Sequence, residues 1–340
     1  MVRRGFLPDF GDSETLVSLP SGDRSIRCHR PLHRGLGWRD ATGACMGAAK
    51  VAVVTTDADV DEDVDLPLII DALCAEGLAA QAVSWDASPR VWNGFDLTVI
   101  RSTWDYAGRL NEFLAWADTT ARVTRLWNPT SVIRWNSDKR YLVQVAQRGV
   151  PVVPTTFIEP GAPVNERDFD GADGVVVKPA VSAGARDTAR YEPDQREMAM
   201  RHAVTLLESG RTVMIQPYLR LVEEGERALV FFSGSFSHAI RKGPVLTEPG
   251  VIDNARVAHP SAAPYRPTEA EIRAALGALA AVPSPVGLLF ARVDLVLGDT
   301  REPLVMELEL IEPNLFLRGN PEGLGRFVES VVTESWKTLA

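Results

Sequence analysis

The chain has 340 residues, of which 45% are hydrophobic and 24% are charged, and its formal net charge at pH 7 is -9. This length exceeds what one hydrophobic core usually fills, so we expect two or three lobes. The acidic balance argues against a nucleic-acid binder, and the lack of an apolar run of about 20 residues argues against membrane insertion. Small molecules are therefore the expected partners, while a homo-oligomer stays open.

The N-terminal segment and the cysteines carry no recognisable chemistry. Residues 1–45 contain seven Arg and no Lys, show no periodic apolar pattern and lack the core of a secretion signal. We expect a disordered extension, or a true start at Met46. Cys28, Cys45 and Cys74 have neither zinc-site spacing nor an even number, which favours unpaired thiols in a reducing cytoplasm.

From Met46 the pattern is typical of a βαβ lobe, which we place at residues 46–135. Strands are predicted at Lys50–Thr55 and Ala80–Ser84, with a helix at Asp65–Glu76 between them. A third strand, Leu97–Ile100, is followed by the polar run RSTWDY. Open α/β sheets bind ligands just past such strand ends, although an ordinary loop with a packed Trp is the alternative.

Two lysines further along the chain are candidates for anion binding. A helix is predicted from Asn136 to Arg148, which puts Lys139 in its first turn. A Lys there opposes the helix dipole, which a nearby anion would offset; the alternative is a solvated side chain. The strand Gly174–Lys178 runs into a loop of small residues, whose backbone amides can approach phosphate oxygens.

The next stretch reads as a hinge followed by a β-hairpin. The strand Thr212–Gln216 leads through a polar connection into the strand Arg227–Phe232, and Ser233-Gly234 predicts a tight turn into SHAIRK. At least one cation of that strand should point inward. His238 is either a proton carrier or a hydrogen-bonded core histidine.

Carboxylates interrupt two otherwise apolar strands near the C-terminus. Within the stretch Arg292–Asn314, Asp294 lies on the first strand, while Glu307 and Glu309 share one face of the second. Several oxygen ligands on adjacent strands predict a magnesium ion that carries a nucleotide phosphate. The alternative is an edge sheet with a solvated acidic face.

The motifs VVVKP, MIQPY, SHAIRKG, RVDLV and MELELIEPN occur in this order, and the combination resembles the ATP-grasp ligase superfamily. Within it, RSTWDY, SDKRYL and the double-Glu motif resemble the branch of cycloserine-forming O-ureidoserine cyclo-ligases. The resemblance implies an α/β and α+β fold: a doubly wound N-terminal lobe, and two α+β subdomains, at residues 136–219 and 220–340, that clamp ATP.

The resemblance also implies roles for individual residues. The nucleotide site comprises phosphate-binding lysines, the small-residue loop, an adenine-facing hinge and a ribose-binding acid: Lys139, Lys178, Ser182, Gly184, Gln216, Tyr218 and Glu226. Asp294, Glu307 and Glu309 match magnesium ligands, and two ions are expected although Glu309 replaces the usual Asn. Arg292 matches the arginine that steadies the transferred phosphoryl group, assisted by Arg241 or Lys242.

The implied reaction is activation of a substrate carboxylate as an acylphosphate, followed by attack of a nitrogen nucleophile and release of ADP and phosphate. Arg101 is the candidate for binding that carboxylate, because a guanidinium binds it bidentately. Trp104, Asp105, Tyr106 and Asn314 are placed on the substrate side. A two-substrate ligase, a small-molecule kinase and a nucleotide-binding regulator are the alternatives.

Overall fold

The computed structural model describes residues 48–255, 261–284 and 286–339. The predictions for residues 1–45 and for a start at Met46 lie outside the described residues, as do Cys28 and Cys45. Cys74 is disulfide-bonded, so the expectation of unpaired thiols is wrong there: an odd number of cysteines leaves room for one pair. No helix within the described residues is long and apolar enough to cross a membrane.

The N-terminal lobe is a parallel sheet with helices on both faces, so the prediction of a doubly wound lobe is confirmed. Its elements in chain order are β1 (Lys50–Thr55), α1 (Leu66–Ala75), β2 (Ala79–Ser84), β3 (Leu97–Ser102), α2 (Leu110–Thr120) and β4 (Arg125–Trp127). The sheet order is β2-β1-β3-β4. Because side chains alternate along β1, Val51 and Val53 pack with α1, whereas Ala52 and Val54 pack with α2.

The middle of the chain forms a four-stranded antiparallel sheet in the order β5-β8-β6-β7, preceded by two short helices and backed by one longer helix. The elements in chain order are α3 (Thr130–Asn136), α4 (Tyr141–Gln147), β5 (Thr156–Ile158), β6 (Val175–Pro179), β7 (Ala189–Tyr191), α5 (Arg196–Glu208) and β8 (Val213–Pro217). One face of this sheet packs on α5 through an apolar cluster that includes Val177, Ile215 and Ala203.

The last part of the chain forms a five-stranded antiparallel sheet in the order β11-β10-β9-β12-β13. Its elements in chain order are β9 (Glu226–Phe232), β10 (Ser235–Lys242), β11 (Ala262–Tyr265), α6 (Glu269–Ala280), β12 (Phe290–Leu297), β13 (Pro303–Glu309) and α7 (Pro321–Leu339). The helix α6 covers one face of this sheet. By contrast, α7 returns to the N-terminal lobe, where Phe327 and Val331 join the core of α1.

The predicted helix over Asn136–Arg148 is wrong in its first turn: α3 ends at Asn136, a turn follows, and α4 begins only at Tyr141. The Asp138 carboxylate accepts a hydrogen bond from the backbone N–H of Arg140 at 3.0 Å, a local interaction that competes with helix continuation. Lys139 therefore lies in a turn rather than in a first helical turn, and its backbone N–H donates to Ala180 O at 2.9 Å.

Side chains from α3 and α4 hold the outer edge of β13 near Leu308, where no further strand of the described residues pairs with it; earlier along this edge Val152 forms a parallel bridge with Val305. Asn136 donates to Leu308 O at 2.8 Å and accepts from the N–H of Leu310 at 2.9 Å. The Tyr141 hydroxyl accepts a hydrogen bond from the N–H of Leu308 at 2.7 Å. These bonds substitute for a neighbouring strand and fix the backbone that carries Glu307 and Glu309.

Candidate active site

A cavity of about 770 Å³ lies between the four-stranded and five-stranded sheets, with the N-terminal lobe at one side. Most of the residues predicted for the site line it: Trp104, Tyr106, Lys139, Lys178, Ser182, Gly184, Gln216, Tyr218, Glu226, Arg292, Asp294, Glu307, Glu309 and Asn314. The structure thus brings together residues that are up to 210 positions apart in sequence (Trp104 to Asn314).

Strand alternation decides which side chains reach the cavity. On β12, Arg292, Asp294 and Val296 face the cavity, whereas Val293 and Leu295 pack into the core under α6. The register pairs Arg292 with Glu309 and Asp294 with Glu307 across β12 and β13. On the cavity face Arg292 is therefore opposite a carboxylate, whereas Asp294 and Glu307 are two carboxylates opposite each other.

Asp294 is held between two cations. Arg292 donates from its Nε to Asp294 Oδ1 at 2.8 Å, and Lys242 Nζ donates to Asp294 Oδ2 at 2.6 Å. Burial alone would raise the pKa of Asp294, but Arg292 and Lys242 outweigh it and hold that pKa well below its usual range. Lys242 also pairs with Glu226 at 2.8 Å, so the three strands β9, β10 and β12 share one ion-pair network.

The carboxylates of β13 have weaker support. Lys139 Nζ lies 3.0 Å from Glu307 Oε1 and donates to Ser182 O at 2.8 Å, while Glu309 Oε1 lies 3.2 Å from Arg292. Burial raises the pKa of Glu309, and repulsion from Glu307 and Asp294 adds to the effect, even though Arg292 opposes it. The cations of the site therefore do not fully compensate the negative charge of its carboxylates.

Lys178, at the end of β6, differs from the other lysines of the cavity. Its side chain is buried, yet its ammonium group has no hydrogen-bond acceptor and no ion-pair partner among the described residues. Burial lowers the pKa of Lys178, and attraction to Glu307, Glu226 and Glu309, which lie beyond ion-pair distance, offsets the lost hydration only in part. A buried cation without an anion, facing a cavity, is suited to an anionic ligand.

The loop after β6 closes over the cavity and is tied to the segment that follows β10. Gly184 in this loop has φ of +63°, a left-handed conformation that glycine adopts at low cost. The backbone N–H of Asp187 donates to Asn254 Oδ1 at 2.7 Å, and Asn254 Nδ2 donates to Asp187 Oδ1 at 2.9 Å. These reciprocal bonds connect the two sheets across the cavity.

The predicted hinge residues lie where β8 leaves the four-stranded sheet. The Gln216 amide donates to Thr155 Oγ1 at 2.9 Å, which fixes its orientation beside the cavity. Tyr218 is half-buried, and the Arg190 guanidinium lies 4.6 Å from the centre of its ring. Apolar side chains such as Val176 and Met306 line the same cavity.

The N-terminal lobe contributes a second group of residues through Trp104. Its indole Nε1 donates to Glu312 O at 3.1 Å, and its backbone N–H donates to Asp59 Oδ2 at 3.1 Å. The carboxylates of Asp59 and Glu312 and the ring of Tyr106 all line the cavity. Burial raises the pKa of Glu312 well above its usual range, and Glu309 adds to this by repulsion.

Three predicted site residues are not brought to the cavity. Arg101 is buried and forms ion pairs with Asp63 at 2.9 Å and Asp65 at 3.2 Å. It also donates a hydrogen bond to Pro313 O, so its guanidinium group is already engaged by the protein. Asp105 accepts a hydrogen bond from the Trp85 indole at 2.8 Å instead of facing a ligand.

Arg241 is the third of these residues. It is exposed on the opposite face of β10, so Lys242 is the inward cation of that strand.

Sequence reasoning missed Asp59, Glu312 and the edge-holding role of Asn136. Asp59 follows a predicted strand in a polar loop, which is a recognisable signal, but nothing in its spacing distinguishes it from Asp57 or Asp61. The histidine of SHAIRK is structural: His238 Nε2 donates to Leu315 O at 2.9 Å while Ser237 Oγ bonds Nδ1 at 2.9 Å. Of the two alternatives for His238, the structure agrees with the hydrogen-bonded core histidine.

Comparison with known proteins shows the family of this chain. The family model of the D-cycloserine synthetase DcsG N-terminal domain matches residues 51–128. The cycloserine biosynthesis protein DcsG of Streptomyces lavendulae is 38% identical over 293 residues, which cover 83% of this chain and 97% of that protein. This chain belongs to the DcsG family of ATP-grasp ligases.

Solved structures extend the comparison to the fold of the DcsG family. The crystal structure of D-cycloserine synthetase DcsG matches with a TM-score of 0.77 and 35% identity, over 84% of this chain and 100% of that one. The ATP-grasp ligase PsnB, solved with a minimal precursor, Mg and ADP, matches with a TM-score of 0.55 and 15% identity, over 84% and 98% of the two chains. The predicted ATP-grasp fold is confirmed, and this member of the DcsG family is an ADP-forming carbon–nitrogen ligase.

Proposed function

We propose that the enzyme activates the carboxylate of a small amino-acid derivative such as O-ureidoserine with ATP, and that a nitrogen of the same molecule then closes a ring. The first step transfers the terminal phosphoryl group of ATP to a carboxylate oxygen, which yields an acylphosphate and ADP. The second step forms the carbon–nitrogen bond and releases phosphate. Similarity to the S. lavendulae protein supports this choice of substrate class.

The observation that carries the proposal is the charge pattern of the cavity. Lys178 is a buried cation without an anionic partner among the described residues, and it faces Glu307 and Glu309 across the space between the sheets. A triphosphate satisfies the lysine, and a cation associated with that triphosphate satisfies the carboxylates. Neither a neutral ligand nor an apolar one would relieve both charges.

The carboxylates fit the chemistry of a magnesium site, although they are not yet arranged as one. Within the described ranges no group of three or more candidate ligands surrounds a single point, because Asp294 and Glu307 are engaged by Lys242 and Lys139. The donor set is nevertheless all oxygen, which Mg²⁺ prefers, and the raised pKa of Glu309 marks uncompensated charge. Asp294, Glu307 and Glu309 would hold magnesium, with two ions as the proposal.

Magnesium supplies neutralisation of the phosphate oxygens when it is bound. Side chains of the enzyme bind and orient the phosphoryl group. Lys178 neutralises a phosphate oxygen, and Arg292 is positioned by Asp294 and by its bond to Asn314 O at 3.0 Å. A guanidinium fixed in this way can bind the phosphoryl group as two anions approach each other.

Enclosure protects a reactive acylphosphate from water. The Asp187–Asn254 bonds close the cavity on the side of the loop after β6, and Trp104 closes it on the side of the N-terminal lobe. A cavity of about 770 Å³ falls in the range typical of small-molecule sites. This volume favours one small substrate beside the nucleotide over a peptide or carrier protein.

Release of ADP and phosphate, measured on a panel of amino acids and ureido acids, tests the proposal. We expect release with O-ureidoserine, and addition of hydroxylamine during turnover should trap the hydroxamate of the substrate. A stable phosphate ester without a hydroxamate would instead indicate a kinase. ADP formation that requires two different amino acids would preserve the ligase assignment and reject cyclisation.

A further inference from the structure

Glu312 lies three residues beyond the end of β13, and its carboxylate has no ion-pair partner among the described residues. It is 6% exposed and lines the cavity, yet no other residue in the described part of the chain donates a hydrogen bond to its carboxylate or forms an ion pair with it. The other buried or partly buried carboxylates of the five-stranded sheet that face this cavity each have a cation within 3.2 Å. The Glu312 carboxylate therefore lacks a hydrogen-bond donor or cation, and a bound ligand can supply one.

The backbone around Glu312 is fixed from the N-terminal lobe. Trp104 Nε1 donates to Glu312 O at 3.1 Å, and Arg101, itself bound by Asp63 and Asp65, donates to Pro313 O. Because Trp104 and the buried Arg101 hold consecutive carbonyl groups, the backbone that carries the Glu312 carboxylate is fixed beside the cavity. The position is pre-organised, which is characteristic of a binding residue.

Asp59 brings a second buried carboxylate to the same side. It is 8% exposed, lines the cavity and accepts hydrogen bonds from Thr56 Oγ1 at 2.9 Å and from the N–H of Trp104 at 3.1 Å, both through Oδ2. Trp104 therefore bonds the Asp59 carboxylate through its backbone N–H and the main-chain carbonyl of Glu312 through its indole, which places both residues beside it. The ring of Tyr106 also faces the cavity here.

The residues around Glu312 and Asp59 suit an organic cation better than a metal ion. Magnesium requires about six oxygen ligands in nearly octahedral arrangement, and the aromatic rings of Trp104 and Tyr106 provide no such ligands. A primary ammonium has three donors that two carboxylates can share, and aromatic faces attract it further. The chemistry at Glu312 and Asp59 thus matches an ammonium group.

We infer that Glu312 and Asp59 bind the ammonium group of the substrate and make the enzyme selective for α-amino acids. The inference rests on the proposed function, because the carboxylate beside that ammonium is the one that receives the phosphoryl group. Arg101 takes the role of a positioning residue, since it acts through the Pro313 carbonyl.

The test compares O-ureidoserine with 3-(ureidooxy)propanoic acid, which lacks only the amino group, on wild type, Glu312→Gln, Asp59→Asn and the control Asp57→Asn. Asp57 lies in the same loop as Asp59 but is exposed and does not line the cavity. For wild type and the control we expect kcat/KM to be about a hundredfold or more higher for the amino acid. In Glu312→Gln and Asp59→Asn this preference should shrink to within about tenfold, with the KM for ATP and the magnesium requirement unchanged.

If Glu312→Gln keeps the full preference for the amino acid, the inference is overturned. If only its magnesium requirement changes, Glu312 is a metal ligand instead, which also overturns the inference. Thermal unfolding of each variant separates misfolding from loss of recognition, and Asp59→Asn gives an independent reading if Glu312→Gln is unfolded. If wild type releases no ADP with either acid, the proposed function fails. The ammonium preference is then decided by calorimetric binding of the two acids, where equal affinity contradicts it.

Discussion

Replacement of Lys178 by Met should separate ligand binding from stability. Met retains most of the length of the Lys side chain but removes its charge, and no ion pair within the described residues is broken by the change. A hydrogen bond to a charged group contributes about 1.5–3 kcal/mol, so ATP binding should weaken by about 10- to 150-fold. The free energy of unfolding without ligand should stay the same or rise, because a poorly solvated cation is removed.

The pH dependence of that stability gives a second readout. Burial lowers the pKa of Lys178 below its usual value of 10.5, so the folded state releases the proton more readily than the unfolded state. The cost of keeping this Lys charged in the fold is fully present below the folded pKa and disappears as the pH rises toward 10.5. The stability advantage of Lys178→Met should therefore be greatest near neutral pH and fade in alkaline solution.

Calorimetric titration with a non-hydrolysable ATP analogue measures the affinity, and urea unfolding measures the stability. Lys242→Met is the matched control, because the chemical change is identical but Lys242 pairs with both Glu226 and Asp294. Unchanged nucleotide affinity of Lys178→Met, combined with normal unfolding, would refute its role at the phosphates. A large loss of stability would refute the reasoning that Lys178 is unpaired.

The other predictions concern the paired charges and the edge of β13. Lys242→Met should lower the free energy of unfolding by about 3–5 kcal/mol, since it leaves two buried carboxylates uncompensated; urea unfolding with no measurable loss would contradict this. Asp294→Asn and Glu307→Gln should each reduce turnover about a hundredfold or more, and ADP release with wild-type rate and magnesium dependence would exclude them as metal ligands. Asn136→Ala should cost about 2–4 kcal/mol through two lost bonds to β13, and hydrogen exchange at Leu308 and Leu310 should accelerate locally; unaltered exchange there would show that the edge does not depend on this side chain.

The parts of the site that sequence reasoning predicts are those that depend on strand periodicity. Alternation along β12 and β13 places Arg292, Asp294, Glu307 and Glu309 on one face, and the register of the structure agrees. In SHAIRK, alternation alone assigns opposite faces to Arg241 and Lys242 without saying which face is inward. The core packing of the sheet resolves that question.

The missed features depend on contacts that are distant in sequence. Arg101 has the chemistry to bind a carboxylate, but the carboxylates it binds are Asp63 and Asp65, 38 and 36 residues away. Glu312 stands out only after Trp104 is found beside it, 208 residues away. No local pattern distinguishes a carboxylate that binds a protein cation from one that awaits a ligand, because the partner is set by tertiary structure.

The most direct test of the proposed reaction is the mass of the product that wild-type enzyme forms from O-ureidoserine, ATP and magnesium, measured together with ADP. The account predicts one ADP per turnover and a product lighter than a single substrate molecule, as ring closure requires. A product that combines two substrate molecules, or one that retains the phosphoryl group, would contradict it.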